Sequence, residues 1–329
     1  MILKKVVNPI REGSDKMVIT VTVNPAMDKT IILDTLQVGE VNRIQSTHSD
    51  MGGKGINVSK GLNEFKIPTI ALGFLGGSLE RVFREELRNL NIMDNFTSIQ
   101  GETRTNLKII DDKNKTYTDL NEKGPIISQD ELQRFLKIYE NIVSKGDVVV
   151  ISGGLSLGIP DQFYGTLTAM AKDRGAYVMV DAEGEALKHA IIQIPDVIKP
   201  NEKEFSRLYD REELSESEMI IKAKDLIEKG LEKVLISRGS HGSILVTNDQ
   251  VLIASNLDVE VKSTVGAGDS MVSALVYSYL NKFSDEDTLA MAQAAGASAV
   301  MTEGTRPCTL KEVEEKIAWA KNNIRKCIY

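Results

Sequence analysis

Ser263-Thr264-Val265-Gly266-Ala267-Gly268-Asp269-Ser270 runs straight into Met271-Val272-Ser273-Ala274-Leu275-Val276-Tyr277. Val272, Leu275, Val276 and Tyr279 recur at helical spacing, which predicts a helix with one buried face starting near Gly266. Two glycines at its mouth leave successive backbone N–H groups without side-chain cover. Those amides and the positive end of the helix dipole make a site for an anion. Asp269 falls in the first turn, where a carboxylate is electrostatically favoured. Beside an anion hole it can take a proton from a hydroxyl while charge develops on a phosphoryl group. Taken alone, Gly-Ala-Gly-Asp fits an ordinary strand-to-helix turn equally well.

The surrounding chain narrows the choice. Its 329 residues, 42% hydrophobic and 26% charged, are those of an ordinary soluble globular protein with a sizeable core. A net charge of −7 argues against nucleic acid or an anionic membrane as the main partner. Phosphorylated small molecules stay compatible, because a local basic site suffices. Cys308 and Cys327 are the only cysteines. They imply no disulfide framework and fit a reducing, cytoplasmic location. No apolar run approaches the ~20 residues a membrane span needs. Residues 1–16 resemble neither a signal nor a transit peptide and read as an extension of uncertain role, leaving 17–329 as one domain.

Val18 to Val23 reads as a strand stopped by Asn24-Pro25. Thr30–Leu33 and Val41–Gln45 around a Gly39 turn read as a hairpin, and 103–110 with 115–120 as a second. Together they suggest a β-layer inserted off the main sheet, at about 28–50 and 98–122. Helices are expected from Gly52 to Phe65 and from Arg81 to Leu90, and a strand from Thr69 to Gly77. Beyond residue 128, short buried-type strands at 147–151, 177–180, 196–198 and 233–236 alternate with helical segments. That is the pattern of a doubly wound, mostly parallel α/β sheet flanked by helices. A hairpin at 243–254 and closing helices at 287–301 and 310–324 complete the expectation.

In such sheets ligands collect at the carboxyl ends of the strands, and most of the polar clusters fall there. Gly52-Gly53-Lys54-Gly55-Ile56-Asn57 puts a cation at a helix start, where it opposes the dipole and suits a substrate phosphate; a solvated surface lysine is the plain alternative. Arg104, Asn106 and Lys108 alternate along a strand and share one face, either a sugar-phosphate pocket or the wet side of a sheet. Asn201 and Glu204 have capping-box spacing, and they are also hard oxygen ligands suited to Mg²⁺ and its waters. Ser237-Arg238-Gly239-Ser240-His241-Gly242 is a small-residue turn that permits close approach of a nucleotide. Neither a dinucleotide fingerprint nor a P-loop motif occurs. His48, His189 and His241 lack metal-ligand spacing, and both cysteines read as non-catalytic.

In this order, Thr22-Val23-Asn24-Pro25-Ala26-Met27-Asp28, Gly53-Lys54-Gly55-Ile56-Asn57-Val58, Lys199-Pro200-Asn201-Glu202-Lys203-Glu204 and Ser263–Ser270 resemble the ribokinase-type (pfkB) carbohydrate kinases. The nearest branch is that of 1-phosphofructokinase and tagatose-6-phosphate kinase. The resemblance spans nearly the whole chain from Met17. It implies a ribokinase-like fold with a β-lid that often doubles as a homodimer clasp, and phosphoryl transfer from ATP with Mg²⁺ to a sugar phosphate. It implies that Asp269 is the general base and that Gly266, Ala267 and Gly268 form the anion hole. Asp28, Gly53, Lys54, Asn57, Arg104, Asn106 and Lys108 would contact the sugar phosphate. Asn201, 237–242, Thr264 and Gly268 would line the nucleotide site, with Glu204 serving the metal through water. Arg104-x-Asn106-x-Lys108 is similar to the fructose-1-phosphate kinase pattern, since tagatose-6-phosphate kinases tend to lack the lysine. Ser152-Gly153-Gly154 and Asp181-Ala182-Glu183 depart from the usual pattern and bear on fine substrate preference. A non-catalytic sugar-phosphate sensor on the same fold is the alternative from another class.

Overall fold

Val18–Thr22 folds as β1 with every residue buried, as an unbroken run of β-branched side chains favours where both faces are covered. The structure, a computed structural model, describes residues 16–302 and 306–327. Of the expected extension, all but Lys16 lies outside the described residues. After Asn24-Pro25 the chain leaves the main sheet as β2 (Ala26–Leu33), returns along β3 (Ser46–Gly52) and enters α1 (Lys54–Glu64). β4 (Thr69–Gly76), α2 (Ser78–Asn89), β5 (Met93–Asp94) and β6 (Thr97–Ile99) follow. A second departure, β7 (Arg104–Asp111) and β8 (Thr116–Asn121), precedes α3 (Gln129–Ile142).

Strands and helices then alternate through β9 (Val148–Ser152), α4 (Phe163–Asp173), β10 (Tyr177–Asp181), α5 (Gly184–Ile192) and β11 (Val197–Ile198). Next come α6 (Glu202–Arg207), α7 (Glu216–Glu228), β12 (Lys233–Ser237) and the hairpin of β13 (Ser243–Thr247) with β14 (Val251–Ala254). The chain closes with α8 (Ala267–Leu280), α9 (Asp285–Val300), α10 (Leu310–Asn322) and β15 (Ile324–Cys327). The expected last helix stops early because 324–327 turns back to pair with β14 at the sheet edge.

The main sheet runs β15-β14-β13-β12-β11-β10-β9-β1-β4-β5, with β6 against β4. It is parallel from β5 to β12 and antiparallel beyond. Alternate residues of β1 serve opposite layers. Ile19 and Val21 join the core under α3, α4 and α7, while Val18 joins the one under α1, α8 and α9. This is the doubly wound arrangement expected, and it places the ends of β1, β9, β10, β11 and β12 along one rim.

The two excursions form one small sheet, ordered β3-β2-β7-β8. Each hairpin is antiparallel, and β2 pairs with β7 in parallel. The strand expected at Val41–Gln45 is not formed. Val38 and Val41 are 93% and 88% exposed, and the partner of β2 is the polar run Ser46–Gly52, whose first four residues are exposed. A strand wet on both faces carries no apolar alternation to mark it. The second excursion enters the small sheet at Arg104 rather than near 98, because Thr97–Ile99 pairs with β4.

Candidate active site

Gly266, at φ +81°, is the N-cap of α8, and no side chain caps the helix. Its left-handed backbone is one that glycine adopts at no steric cost. Among the described residues no carbonyl accepts from the amides of Gly266, Ala267 or Gly268, so they remain free at the positive end of the helix. Asp269, one residue on, is 7% exposed and borders a cleft of about 820 Å³. Asn57 Nδ2 donates to its Oδ2 across 2.8 Å. Burial, and then the charge of Asp181, push its carboxyl up to about 6, against the pull of Asn57, Lys54 and Lys199. A carboxylate held near neutrality is suited to accept a proton.

Behind it lies a buried charge cluster. Asp181, the last residue of β10, is 1% exposed, with Lys199 Nζ at 3.3 Å and Lys54 Nζ at 3.4 Å from its Oδ1. Burial opposes its charge, but the two ammonium groups hold its carboxyl below the usual range. Lys54 also stands 3.6 Å from Glu204 Oε1. Burial works against that ammonium too, yet Asp181, Glu204 and Asp269 together hold its pKa above the ordinary lysine value. Glu204 and Asn201 do form a reciprocal capping box, with both bonds at 2.8 Å. The capping reading is therefore right, and Glu204 Oε1 still faces the cleft.

The lid supplies the opposite wall. Asp28 on β2 and Arg104 and Asn106 on β7 border the cleft, as does Gly53. Asn106 Nδ2 donates to Asp28 Oδ1 at 2.9 Å, and Arg104 reaches the carbonyls of Asn24 and Glu122. Asp28 Oδ2 lies against Gly52, where an added Cβ would sit 2.1 Å away. Burial raises the Asp28 pKa, opposed by Asn106, Arg104 and Lys60. Four buried polar atoms of cleft residues have no partner: Asn57 Oδ1, Arg104 Nε, Asn106 Oδ1 and Asp181 Oδ2. Buried polar groups rarely go unpaired, so this concentration marks a place built for a polar ligand.

At the far end the cleft is lined by Ser237, Gly239, Ser240, Gly242 and Thr264, as expected, and by Gln293 and Val300. Two expected residues are absent from it. Arg238 is 8% exposed and turned away, bonded to Glu216 at 2.7 Å and to the His241 carbonyl at 2.9 Å. His241 is not among the lining residues either. The turn offers the cleft its small residues, while Arg238 ties it to α7. Lys108 stands at the cleft's edge. It borders a cavity of about 1010 Å³ beneath the lid and another of about 270 Å³ shared with Asp28, Asn106 and Val265 of the cleft, and lies over the Tyr117 ring at 5.4 Å.

A family model described as pfkB family carbohydrate kinase matches residues 21–312. The chain belongs to the pfkB family of carbohydrate kinases. It is 38% identical over 267 residues to a 1-phosphofructokinase of Xanthomonas campestris pv. campestris, covering 80% of this chain and 84% of the relative. It is 32% identical over 292 residues to a tagatose-6-phosphate kinase of Staphylococcus epidermidis, covering 88% and 94%. The structure of phosphofructokinase-2 from Escherichia coli in complex with substrates and products superimposes with a TM-score of 0.87 at 26% identity, covering 93% and 99%. Like other pfkB kinases, this protein is an ATP-dependent sugar kinase with the ribokinase-like fold.

The pfkB kinase cleft contains groups that sequence reasoning left unassigned. The sequence marks Asp181 only as part of a departure from the family pattern, and Lys199 only as part of a motif. The available signal was a charged residue closing a fully apolar strand, which places a charge at the ligand rim. Gln293 carried none, being one polar residue on a helix of alanines. Among the described residues, no three His, Cys, Asp or Glu side chains gather to hold a metal by themselves.

Proposed function

We propose that this pfkB kinase is a 1-phosphofructokinase, transferring the γ-phosphoryl of ATP to the C6 hydroxyl of D-fructose 1-phosphate to give fructose 1,6-bisphosphate and ADP. One observation carries the reading: the buried Asp269 carboxyl, raised to about 6, adjoins the free amides of 266–268 in one cleft. Asp269 accepts the hydroxyl proton, and the amides of Gly266, Ala267 and Gly268 stabilise the charge on the migrating phosphoryl. Asn57 orients the base. Lys54 and Lys199 add positive potential, and Asp28, Arg104 and Asn106 orient the sugar phosphate. The small residues at 237, 239, 240 and 242, with Thr264, accommodate the nucleotide.

Mg²⁺ fits this donor set. Glu204 Oε1 and the unpaired Asp181 Oδ2 are two carboxylate oxygens at the cleft, enough for an ion that takes its other ligands from phosphate and water. When bound, it would neutralise charge on the nucleotide phosphates; Asn201 holds Glu204 in place.

Tagatose-6-phosphate kinase is the second reading, supported by the 32% identity to a relative of that name. Lys108, the lysine that points to fructose 1-phosphate, borders a small cavity that it shares with Asp28, Asn106 and Val265 of the cleft. A coupled ADP-release assay over fructose 1-phosphate, tagatose 6-phosphate, fructose 6-phosphate and unphosphorylated sugars decides between them. Highest kcat/KM with fructose 1-phosphate is expected. Preference for tagatose 6-phosphate reverses the assignment, and tight sugar-phosphate binding without turnover indicates a sensor.

We also read residues 17–329 as one kinase domain whose lid clasps a second copy, in the cytoplasm. β8 is exposed throughout, and Tyr117 and Leu120 on it are 61% and 50% exposed, apolar surface suited to a partner. No helix among the described residues is long and apolar enough to cross a membrane. Light scattering should give twice the chain mass.

A further inference from the structure

Lys60 is a buried cation that the cleft chemistry does not use. Lys60, on α1, is 8% exposed, and its ammonium donates to the carbonyl of Met51. Among the described residues it makes no ion pair. Burying an ammonium costs stability unless something nearby benefits. Burial lowers its pKa, opposed through space by Glu86 of α2, Asp50 of β3 and Asp28 of β2. Asp50 is itself bonded to His48 at 3.0 Å, while Asp28 also faces Arg104 and Asn106 of β7.

We propose that Lys60 is a positioning residue for sugar-phosphate binding, fixing the turn between lid and body and thereby aiming the Asp28 carboxylate into the cleft. Met51 pairs with Met27, and Asp50 with Asp28, across the β2–β3 ladder. Holding the Met51 carbonyl therefore sets the strand on which Asp28 stands. The next residue, Gly52, is the surface against which Asp28 Oδ2 rests. After it, Gly53 at φ +122° swings the chain into α1, which carries Lys54 and Asn57. One ammonium so links the lid strand to the body helix at the point where they join. The same cation favours the ionised form of Asp28, which burial disfavours.

This rests on reading Asp28 as a sugar contact, so Asp28→Asn belongs in the same assays. Three variants separate the functions of Lys60. K60R keeps charge and donor, K60Q keeps a donor without charge, and K60M keeps neither. In steady-state kinetics of the full chain, K60M and K60Q should raise KM for the sugar phosphate about tenfold or more, with kcat and the KM for ATP changed less than about threefold. K60R, which keeps charge and donor, should restore KM. If K60M does not fold, K60Q carries the same comparison; if neither folds, the lysine is structural and the proposal fails. Equal losses in kcat and in both KM values, or failure of K60R to restore the sugar KM, overturn it. An unchanged sugar KM in Asp28→Asn removes instead the sugar-contact reading of Asp28.

Discussion

Asn57 Nδ2 and Asp269 Oδ2 meet at 2.8 Å, joining the first turns of α1 and α8. Two helices that begin 213 residues apart in the chain thus present one carboxylate, oriented by one amide, beside the free amides of 266–268; the proposed function makes this carboxylate the base. Asp269→Asn removes the base and keeps the shape. It should lose at least about 10²-fold in kcat with an unchanged circular dichroism spectrum. Undiminished turnover in the ADP-release assay refutes the role of Asp269.

The same carboxyl makes a stability prediction. Its folded pKa, about 6, lies above the ordinary 3.8, so the folded chain holds the proton more tightly than the unfolded one. The group therefore favours folding increasingly as pH falls from above 6 towards 4, and opposes it above 6. Asp181 is opposite in sign, since its folded pKa is depressed; its contribution is present above 3.8 and lost in stronger acid. At pH 8, Asp269→Asn should exceed the wild type in stability by up to about 3 kcal/mol. Urea melts at pH 8 and pH 4 should show that advantage shrinking at the lower pH.

Lys54→Met takes a cation from both carboxylates. The Asp269 pKa then rises above about 6, and the acid limb of kcat/KM moves to higher pH. A pH–rate profile in which the limb stays put shows that Lys54 does not act on the base.

Gly52→Ala places a methyl group in the space of Asp28 Oδ2. The carboxylate must turn and lose its bond to Asn106. The KM for the sugar phosphate should rise about tenfold, with the KM for ATP little altered. Parallel changes in the two constants count against separate binding walls.

Arg238→Met tests the departure from the sequence expectation. The guanidinium is buried against Glu216, which also holds Arg325 of β15. Breaking that network should cost on the order of 1 kcal/mol, seen as a slightly lower Tm, while the KM for ATP barely changes. A large rise in that KM with normal stability restores the nucleotide role.

The order of strands and helices was legible because buried strands are apolar and short, and Gly and Pro mark their ends. The lid was half legible: β7 and β8 flank a turn-forming cluster, but β3 is polar along most of its length. The cleft residues on helix starts were legible because glycine beside Lys54 or Asp269 is poor helix design and good ligand design. Direction was not legible: Arg238 and Gly239 adjoin in sequence and face opposite ways.

The groups proposed to hold the sugar sit on β2 and β7 of the lid sheet, while Asp269 and the free amides sit on α8 of the main body. A molecule that touches both at once must have length and several hydroxyl or phosphate handles. Water has neither, so the division of labour between two sheets is also a guard against wasteful hydrolysis of the nucleotide.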